Sequence, residues 1–340
     1  MKSLLAQLAR REDLSREEAT RAFSMLMDGQ AEPAQVGALL MGIAAKGVSI
    51  DELVAAATVM RERSIRIKLP EGTEALDVCG TGGSVHRHAG LFNISTAAAI
   101  VIASCGVTVV KHGNRAATSK SGSADVLEAL GVKLDVTPEV EAACVRDANL
   151  CFAFARSHHP AMKHVAPIRA SLGIPTIFNI LGPLTNPARA PRQLLGVYRR
   201  DLCELMAAAL LDLGATRAWV VHADDGLDEL STLGPTHVVE VRDGGLNQTT
   251  IVPAQLGIPI AKIDDLRAGS VGESAAIIRA IMSGEKGPRA DIVALNAAAG
   301  LVIAERAADL RSALTLAHDA IDTGSAKATL EKLVVTSSCL

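Results

Sequence analysis

Aromatic side chains are nearly missing from this 340-residue chain, with one Trp, one Tyr and five Phe amounting to 2%. Its core must therefore be filled with Ala, Leu, Val and Ile, whose small side chains suit close helix packing. Excess charge is missing too: 34 Lys and Arg stand against 37 Asp and Glu, a net −3. That balance speaks against a nucleic-acid binder relying on a diffuse basic surface, while leaving local basic pockets open. The six cysteines, Cys79, Cys105, Cys144, Cys151, Cys203 and Cys339, form no CxxC pair and mostly lie in apolar or alanine-rich stretches. Buried thiols in a reducing compartment are expected rather than disulfides or zinc. A membrane span is not expected either. The longest uncharged run, 89–110, is long enough to cross a bilayer but contains Asn93, Ser95, Thr96, Ser104, Gly106 and Thr108. Near the start, Arg10, Arg11, Glu12 and Asp13 interrupt the apolar stretch before a signal core could form, so a cytoplasmic protein is expected.

What is present divides the chain in two. Hydrophobic content of 49% allows one large core and a smaller one. Residues 1 to about 65 have helical spacing throughout, with helices expected near 3–10, 15–28, 33–46 and 50–62. Ser15 before Glu17 and Glu18, and Ser49 before Asp51 and Glu52, read as N-caps followed by acidic first turns. Pro70 and Gly72 mark a linker, giving a helical domain over 1–70 and an α/β domain over 71–340. Strands are expected at LDVCG (76–80), VTVVKHGN (107–114) and VKLD (132–135), with helices at 123–130 and from Pro138. The tract 158–188 breaks this rhythm with a helical part and then a run rich in Pro, Gly and Asn, and should pack back on the N-terminal helices. LLGVY, AWVVHAD and THVVEVRDG resume the sheet, with helices near 201–213, 272–283, 288–305 and 307–321. The fold class is α/β with a mainly parallel central sheet, preceded by a small helical domain.

Two glycine-bearing loops carry the chemistry. GTGG at 80–83 follows an apolar strand, and KHGNR at 111–115 follows another. A strand running through a glycine turn into a helix leaves backbone N–H groups free for an anion. Gly80, Gly82 and Gly83, with Asn93, Ser95 and Thr96 at the head of the next helix and Lys111 as a mobile cation, form a phosphate cradle and point to a phosphorylated sugar. GTGG alone is equally consistent with an ordinary strand–helix turn. Asp228 and Glu229 are adjacent carboxylates suited to an oxygen-ligated ion, although an isolated pair of this kind is more often a solvated turn. His158, His159 and His164 lack the spacing of a helical metal pair.

Read in order, GTGG at 80, NIST at 93, KHGNRA at 111, SKSGSADVLEALGV at 119, HHPAMKHVAPIR at 158, IFNILGPLTNP at 177, VVHADDGLDEL at 220 and RADIVALNAA at 289 resemble the anthranilate phosphoribosyltransferase family along essentially the whole chain. The resemblance implies a nucleoside-phosphorylase-like fold, a homodimer formed through the helical part, and transfer of phosphoribose from 5-phosphoribosyl 1-pyrophosphate (PRPP) to the amine of anthranilate in tryptophan biosynthesis. No membrane or nucleic-acid partner is implied.

Carried onto these residues, the resemblance implies PRPP binding by Gly80, Gly82, Gly83, Asn93, Ser95, Thr96, Lys111 and Ser119, with one or two Mg2+ ions at Ser95, Asp228 and Glu229. It implies an anthranilate site of His112, Asn114, His159 and Arg169, the Arg169 guanidinium taking the ring carboxylate. A displacement through a ribosyl cation requires a held nucleophile and a stabilised leaving group, so no covalent catalytic residue is expected. The chain departs from the family at the first loop. Ser84 stands where the family carries an acid, and the loop is about three residues longer, bringing in His86, Arg87 and His88. Rival readings are a phosphoribosyltransferase for another aromatic acid, a pyrimidine nucleoside phosphorylase, and a non-catalytic nucleic-acid-binding relative of the same fold.

Overall fold

A computed structural model of the chain describes residues 1–83, 90–115 and 121–339. Four helices come first: Lys2–Ala9, Arg16–Met27, Pro33–Lys46 and Ile50–Glu62. Ser15 and Ser49 cap the second and fourth. Each side chain accepts the N–H of the glutamate three residues on, Glu18 or Glu52, and that glutamate returns a bond to the cap residue.

Seven strands follow: β1 (Leu76–Gly80), β2 (Val109–Gly113), β3 (Leu150–Phe154), β4 (Arg192–Gly196), β5 (Arg217–Ala223), β6 (Thr236–Arg242) and β7 (Gly245–Ile251). They lie in the order β3-β2-β1-β4-β5-β6-β7. Pairings from β3 through to β5 are parallel, while β6 and β7 are antiparallel. Chain order reverses between β1 and β4, so the switch point of the sheet lies at their carboxyl ends, Gly80 and Gly196, where open α/β sheets take their ligands.

Residues 132–135 are not the expected strand. Val132 and Leu134 are buried, but the Lys133 N–H donates to Ser337 Oγ of the last helix, so this segment is fixed by a helix and not by a ladder. The third strand is instead Leu150–Phe154, buried at every position. Its continuous apolar run has no period-2 signal to set it apart from a buried helix. Two further elements lie beyond the sequence reading. β7 is polar and exposed, paired to β6 through Asp243 and Gly244, both at positive φ. The helix Ser325–Ser337 ends the chain's regular structure.

The sheet is covered on both faces. On one, helices Ile94–Ser104, Pro288–Ile303, Leu310–Asp322 and Ser325–Ser337 bury Ile100, Ile102, Leu295 and Leu333. Gly300 allows the first two of these helices to touch, since a Cβ there would come 2.4 Å from Ile102. On the other face, helix Leu202–Asp212 packs together with the N-terminal helices and the 158–188 tract. Phe23, Leu53, Ile177, Phe178, Leu195 and Val220 belong to that one core. Arg61 reinforces it by donating to the carbonyls of Leu184 (2.6 Å) and Leu213 (3.2 Å). His158 clamps the linker: its backbone carbonyl accepts the Ile65 N–H at 2.9 Å, and its Nδ1 lies 2.7 Å from the Ile65 carbonyl. Among the described residues no helix is long and apolar enough to cross a membrane.

Candidate functional site

The loop after β5 delivers Asp228 and Glu229 onto the switch point. It is shaped by side chains that do not face the opening. Asp225 accepts from the Leu227 N–H and from the Ser231 hydroxyl, and the buried Asn296 takes the Leu230 N–H at 3.0 Å while donating to the Leu230 carbonyl at 2.8 Å. Two glycines then admit the loop to the strand ends. A Cβ on Gly196 would sit 1.7 Å from the Asp228 carbonyl oxygen, and one on Gly80 would sit 2.9 Å from Asp228 Oδ2. No side chain fits at Gly196 without moving backbone.

Asp228 Oδ2 accepts the Gly82 N–H at 3.1 Å, and Glu229 Oε1 accepts the Ser95 N–H at 3.2 Å. The acidic pair thus joins the glycine turn to the first turn of helix Ile94–Ser104 and occupies two N–H groups that the sequence offers to phosphate. Both residues are half-buried. Burial raises Asp228 above the ordinary carboxylate range, and burial with the neighbouring Asp228 charge raises Glu229 to about 8. Lys111 offsets this rise at Glu229 only in part.

Lys111 is the cation already there. Its ammonium is buried, donates to the Val78 carbonyl, and donates to Ser95 Oγ at 3.2 Å. Burial lowers its pKa against the pull of Cys79, Asp77 and Glu229. Gly80, Gly82, Ser95, Lys111, Asp228 and Glu229 are therefore brought together at one place. Gly82 and Gly83 have φ of 65° and 84°, the left-handed region open to glycine.

Two expected cradle residues do something else with their side chains. Asn93 Oδ1 accepts the hydroxyls of Ser121 (2.7 Å) and Ser274 (2.9 Å), and its amide donates to the Ser121 carbonyl, so it braces two segments. The Thr96 hydroxyl is buried without a partner beside Lys111, Leu127 and Phe152, which leaves only its backbone at the helix start to face a ligand. Ser119, Ser84, His86, Arg87 and His88 lie outside the described residues.

On the acceptor side, His112 and His159 meet, with Nε2 atoms 3.2 Å apart and rings edge to face at 5.2 Å. His112 Nδ1 lies 3.1 Å from the Gly182 carbonyl, which can only accept, so Nδ1 carries the proton. His112 Nε2 is then the acceptor toward His159 Nε2. Burial and the neighbouring histidines hold His112 well below its usual value. The same causes bring His159 to about 4. Asn114 is exposed, its Oδ1 accepting from the Arg115 N–H. Arg169 is half-buried with its guanidinium 5.2 Å from the Phe178 ring centroid, and no carboxylate neutralises it among the described residues. Arg115 is held by Asp125 and Glu128 instead of being offered to a ligand.

Sequence reasoning missed Asp77, Asn186, Gly196 and Asn296. A signal for Asp77 was present, because a carboxylate inside a central parallel strand must be hydrogen-bonded. Among the described residues there is no group of three His, Cys, Asp or Glu able to hold an ion, so a cation at Asp228 and Glu229 would take its remaining ligands from other oxygens, such as the Ser95 hydroxyl. A separate cleft of about 280 Å3, between Gly29–Pro33 and His164, lies away from these carboxylates.

Residues 72–327 match the α/β domain of a glycosyl transferase family and residues 2–64 match its helical bundle domain. The anthranilate phosphoribosyltransferase of Methylobacterium nodulans is 50% identical over 337 residues, covering 99% of this chain and 98% of the relative. That of Rhodospirillum rubrum is 50% identical over 334 residues, covering 98% and 95%. Among solved structures, anthranilate phosphoribosyltransferase from Thermus thermophilus superposes with a TM-score of 0.92 at 42% identity, covering 98% of this chain and 99% of that one. The Saccharomyces cerevisiae enzyme in complex with PRPP and Mg superposes with a TM-score of 0.90 at 26% identity, covering 99% and 98%.

Proposed function

Because the chain belongs to the anthranilate phosphoribosyltransferase family, we propose that it transfers phosphoribose from PRPP to the amine of anthranilate, with magnesium, in tryptophan biosynthesis. The observation that carries this reading is the joining of the glycine turn, Ser95 and Lys111 to the Asp228–Glu229 pair at the switch point. In the reaction the C1–O bond to pyrophosphate breaks, a C1–N bond to the amine forms, and the amine gives up a proton. The yeast relative has been solved with PRPP and Mg and, separately, with 4-fluoroanthranilate.

The residues divide the work. Gly80, Gly82 and Gly83, the backbone at Asn93, Ser95 and Thr96, and Lys111 bind the phosphates of the donor, with Ser119 on the 5-phosphate side. Asp228, Glu229 and the Ser95 hydroxyl would hold one or two Mg2+ ions, which when bound neutralise the charge of the departing pyrophosphate. Hard oxygen donors and raised carboxyl pKa values fit that role. Were the carboxylates to hold an ion, the Gly82 and Ser95 N–H groups they now engage would be free for phosphate oxygens. Arg169 takes the anthranilate carboxylate, while His112, Asn114 and His159 line the ring pocket and exclude water. We assign residues 1–70 to a helical domain joined by the 158–188 tract, residues 71–340 to the phosphoribosyl-binding domain, a homodimer through the helices, and a cytoplasmic location.

Loss of anthranilate fluorescence on adding PRPP, measured with and without magnesium, tests the reading. Magnesium-dependent loss is expected. A folded protein that shows none across a magnesium series refutes the assignment.

A further inference from the structure

Directly beneath the site, β1 and β2 come apart. β1 pairs with β4 at five positions and β2 with β3 at five, but β1 and β2 are in register only at Leu76 and Val109. The Leu76 N–H still donates to the Thr108 carbonyl at 2.9 Å. Beyond that bond, three backbone groups that a parallel ladder between these strands would use are taken by side chains. The His112 N–H donates to Asp77 Oδ1 at 3.0 Å, the Val110 carbonyl accepts Asn186 Nδ2 at 2.8 Å, and the Val78 carbonyl accepts the Lys111 ammonium.

Asp77 is fully buried, and Lys111 and Asn186 are nearly so. Putting a carboxyl and an ammonium inside a sheet that backbone alone could close is costly, and a plain apolar ladder would be cheaper. The wedge has a definite product. Alternation along β2 already points Lys111 and His112 to opposite faces. The wedge opens the gap in which the Lys111 ammonium reaches the Val78 carbonyl and Ser95 on the donor side, and it fastens the His112 backbone to Asp77 while the ring lies against His159 on the acceptor side.

We propose that Asp77, supported by Asn186, is a positioning residue for phosphoribosyl transfer, holding the C-terminal half of β2 away from β1 so that one strand presents Lys111 to the donor and His112 to the acceptor. The role rests on the transferase reading above. It distinguishes itself from fold support by its reach, because a wedge that sets both groups affects both substrates per folded molecule.

The test compares wild type, Asp77→Ala, Asp77→Asn, Asn186→Ala and Val241→Ala, the last a buried residue of β6 at the opposite end of the sheet. Thermal melting and kcat/KM for PRPP and for anthranilate are measured for each. Asp77→Ala should lose about 100-fold in kcat/KM for both substrates, the scale of a misplacement near 1 Å. Asp77→Asn, which keeps a carbonyl for the His112 N–H, should recover most of that loss. Val241→Ala should melt earlier with kcat/KM unchanged. If Asp77→Ala does not fold, Asn186→Ala is read by the same two-substrate loss. Wild-type kinetics in the folded wedge variants, a loss confined to one substrate, or a loss no larger than that of Val241→Ala would overturn the role alone. A wild-type protein inert toward PRPP and anthranilate would instead overturn the transferase reading, and this role with it.

Discussion

Asp228 and Gly82 are 146 residues apart in sequence, yet the Asp228 carboxylate accepts the Gly82 backbone N–H at 3.1 Å. The acidic loop is therefore fastened to the phosphate turn before any ligand arrives. Glu229 repeats the arrangement at Ser95, so one acidic loop ties together the glycine turn and the first turn of helix Ile94–Ser104.

Replacing both carboxylates should remove the magnesium requirement by removing the reaction. Asp228→Asn with Glu229→Gln keeps shape and hydrogen-bond capacity but not charge, and turnover should fall at least about 100-fold at every magnesium concentration. A double variant with wild-type turnover and an unchanged magnesium curve would remove the pair from the metal site.

Gly196→Ala should be disproportionately harmful for one methyl group. The added Cβ meets the Asp228 carbonyl at 1.7 Å, a backbone atom that cannot swing away. We expect a stability loss of about 1–3 kcal/mol, the range for overpacking, together with a marked fall in kcat as the acidic loop lifts from the strand ends. Differential scanning calorimetry and steady-state kinetics check the two effects separately.

Arg169→Ala should act on the acceptor. The guanidinium rests on Phe178 without a carboxylate partner, and losing a charged hydrogen-bond donor is worth about 1.5–3 kcal/mol. The KM for anthranilate should rise roughly 10- to 100-fold while the KM for PRPP stays near wild type. A defect mainly in PRPP binding would show that Arg169 faces the donor.

Acid should destabilise the fold through His159. Its folded value of about 4 lies below the ordinary 6.5 of an unfolded histidine. Below pH 6.5 the unfolded chain takes up a proton that the folded chain refuses, so the contribution present above 6.5 is lost as pH falls toward 4. The loss amounts to about 3 kcal/mol for a buried group shifted this far. Urea unfolding at pH 7 and pH 4 should show His159→Gln losing about that much less stability than wild type. Equal losses would contradict the burial argument.

Much of this molecule can be read from its residues because short-range rules govern it. Ser15 and Ser49 begin helices where a hydroxyl three residues ahead of a glutamate must begin them, and GTGG turns where only glycine tolerates the backbone. Other features depend on partners far away in sequence. VKLD has the composition of a strand, but Ser337 takes its backbone, while LCFAF is a strand only because β2 lies beside it. Thr96 stands in the phosphate motif, yet the helix phase turns its hydroxyl into the core. Asp77, Asn186 and Gly196 are exact about neighbours that local spacing never names, namely His112, Val110 and Asp228.

The family's helical and α/β models meet between residues 64 and 72, but the apolar core does not stop there. Phe23 and Leu53 of the helices share it with Leu195 and Val220 of the sheet, and Phe23 meets Phe178 edge to face at 6.4 Å. A cut at the linker would take the four helices out of the core they share with helix Leu202–Asp212 and the 158–188 tract, exposing apolar surface on both pieces. Heat should accordingly melt the two parts in a single cooperative step, and neither half should be a soluble folding unit by itself.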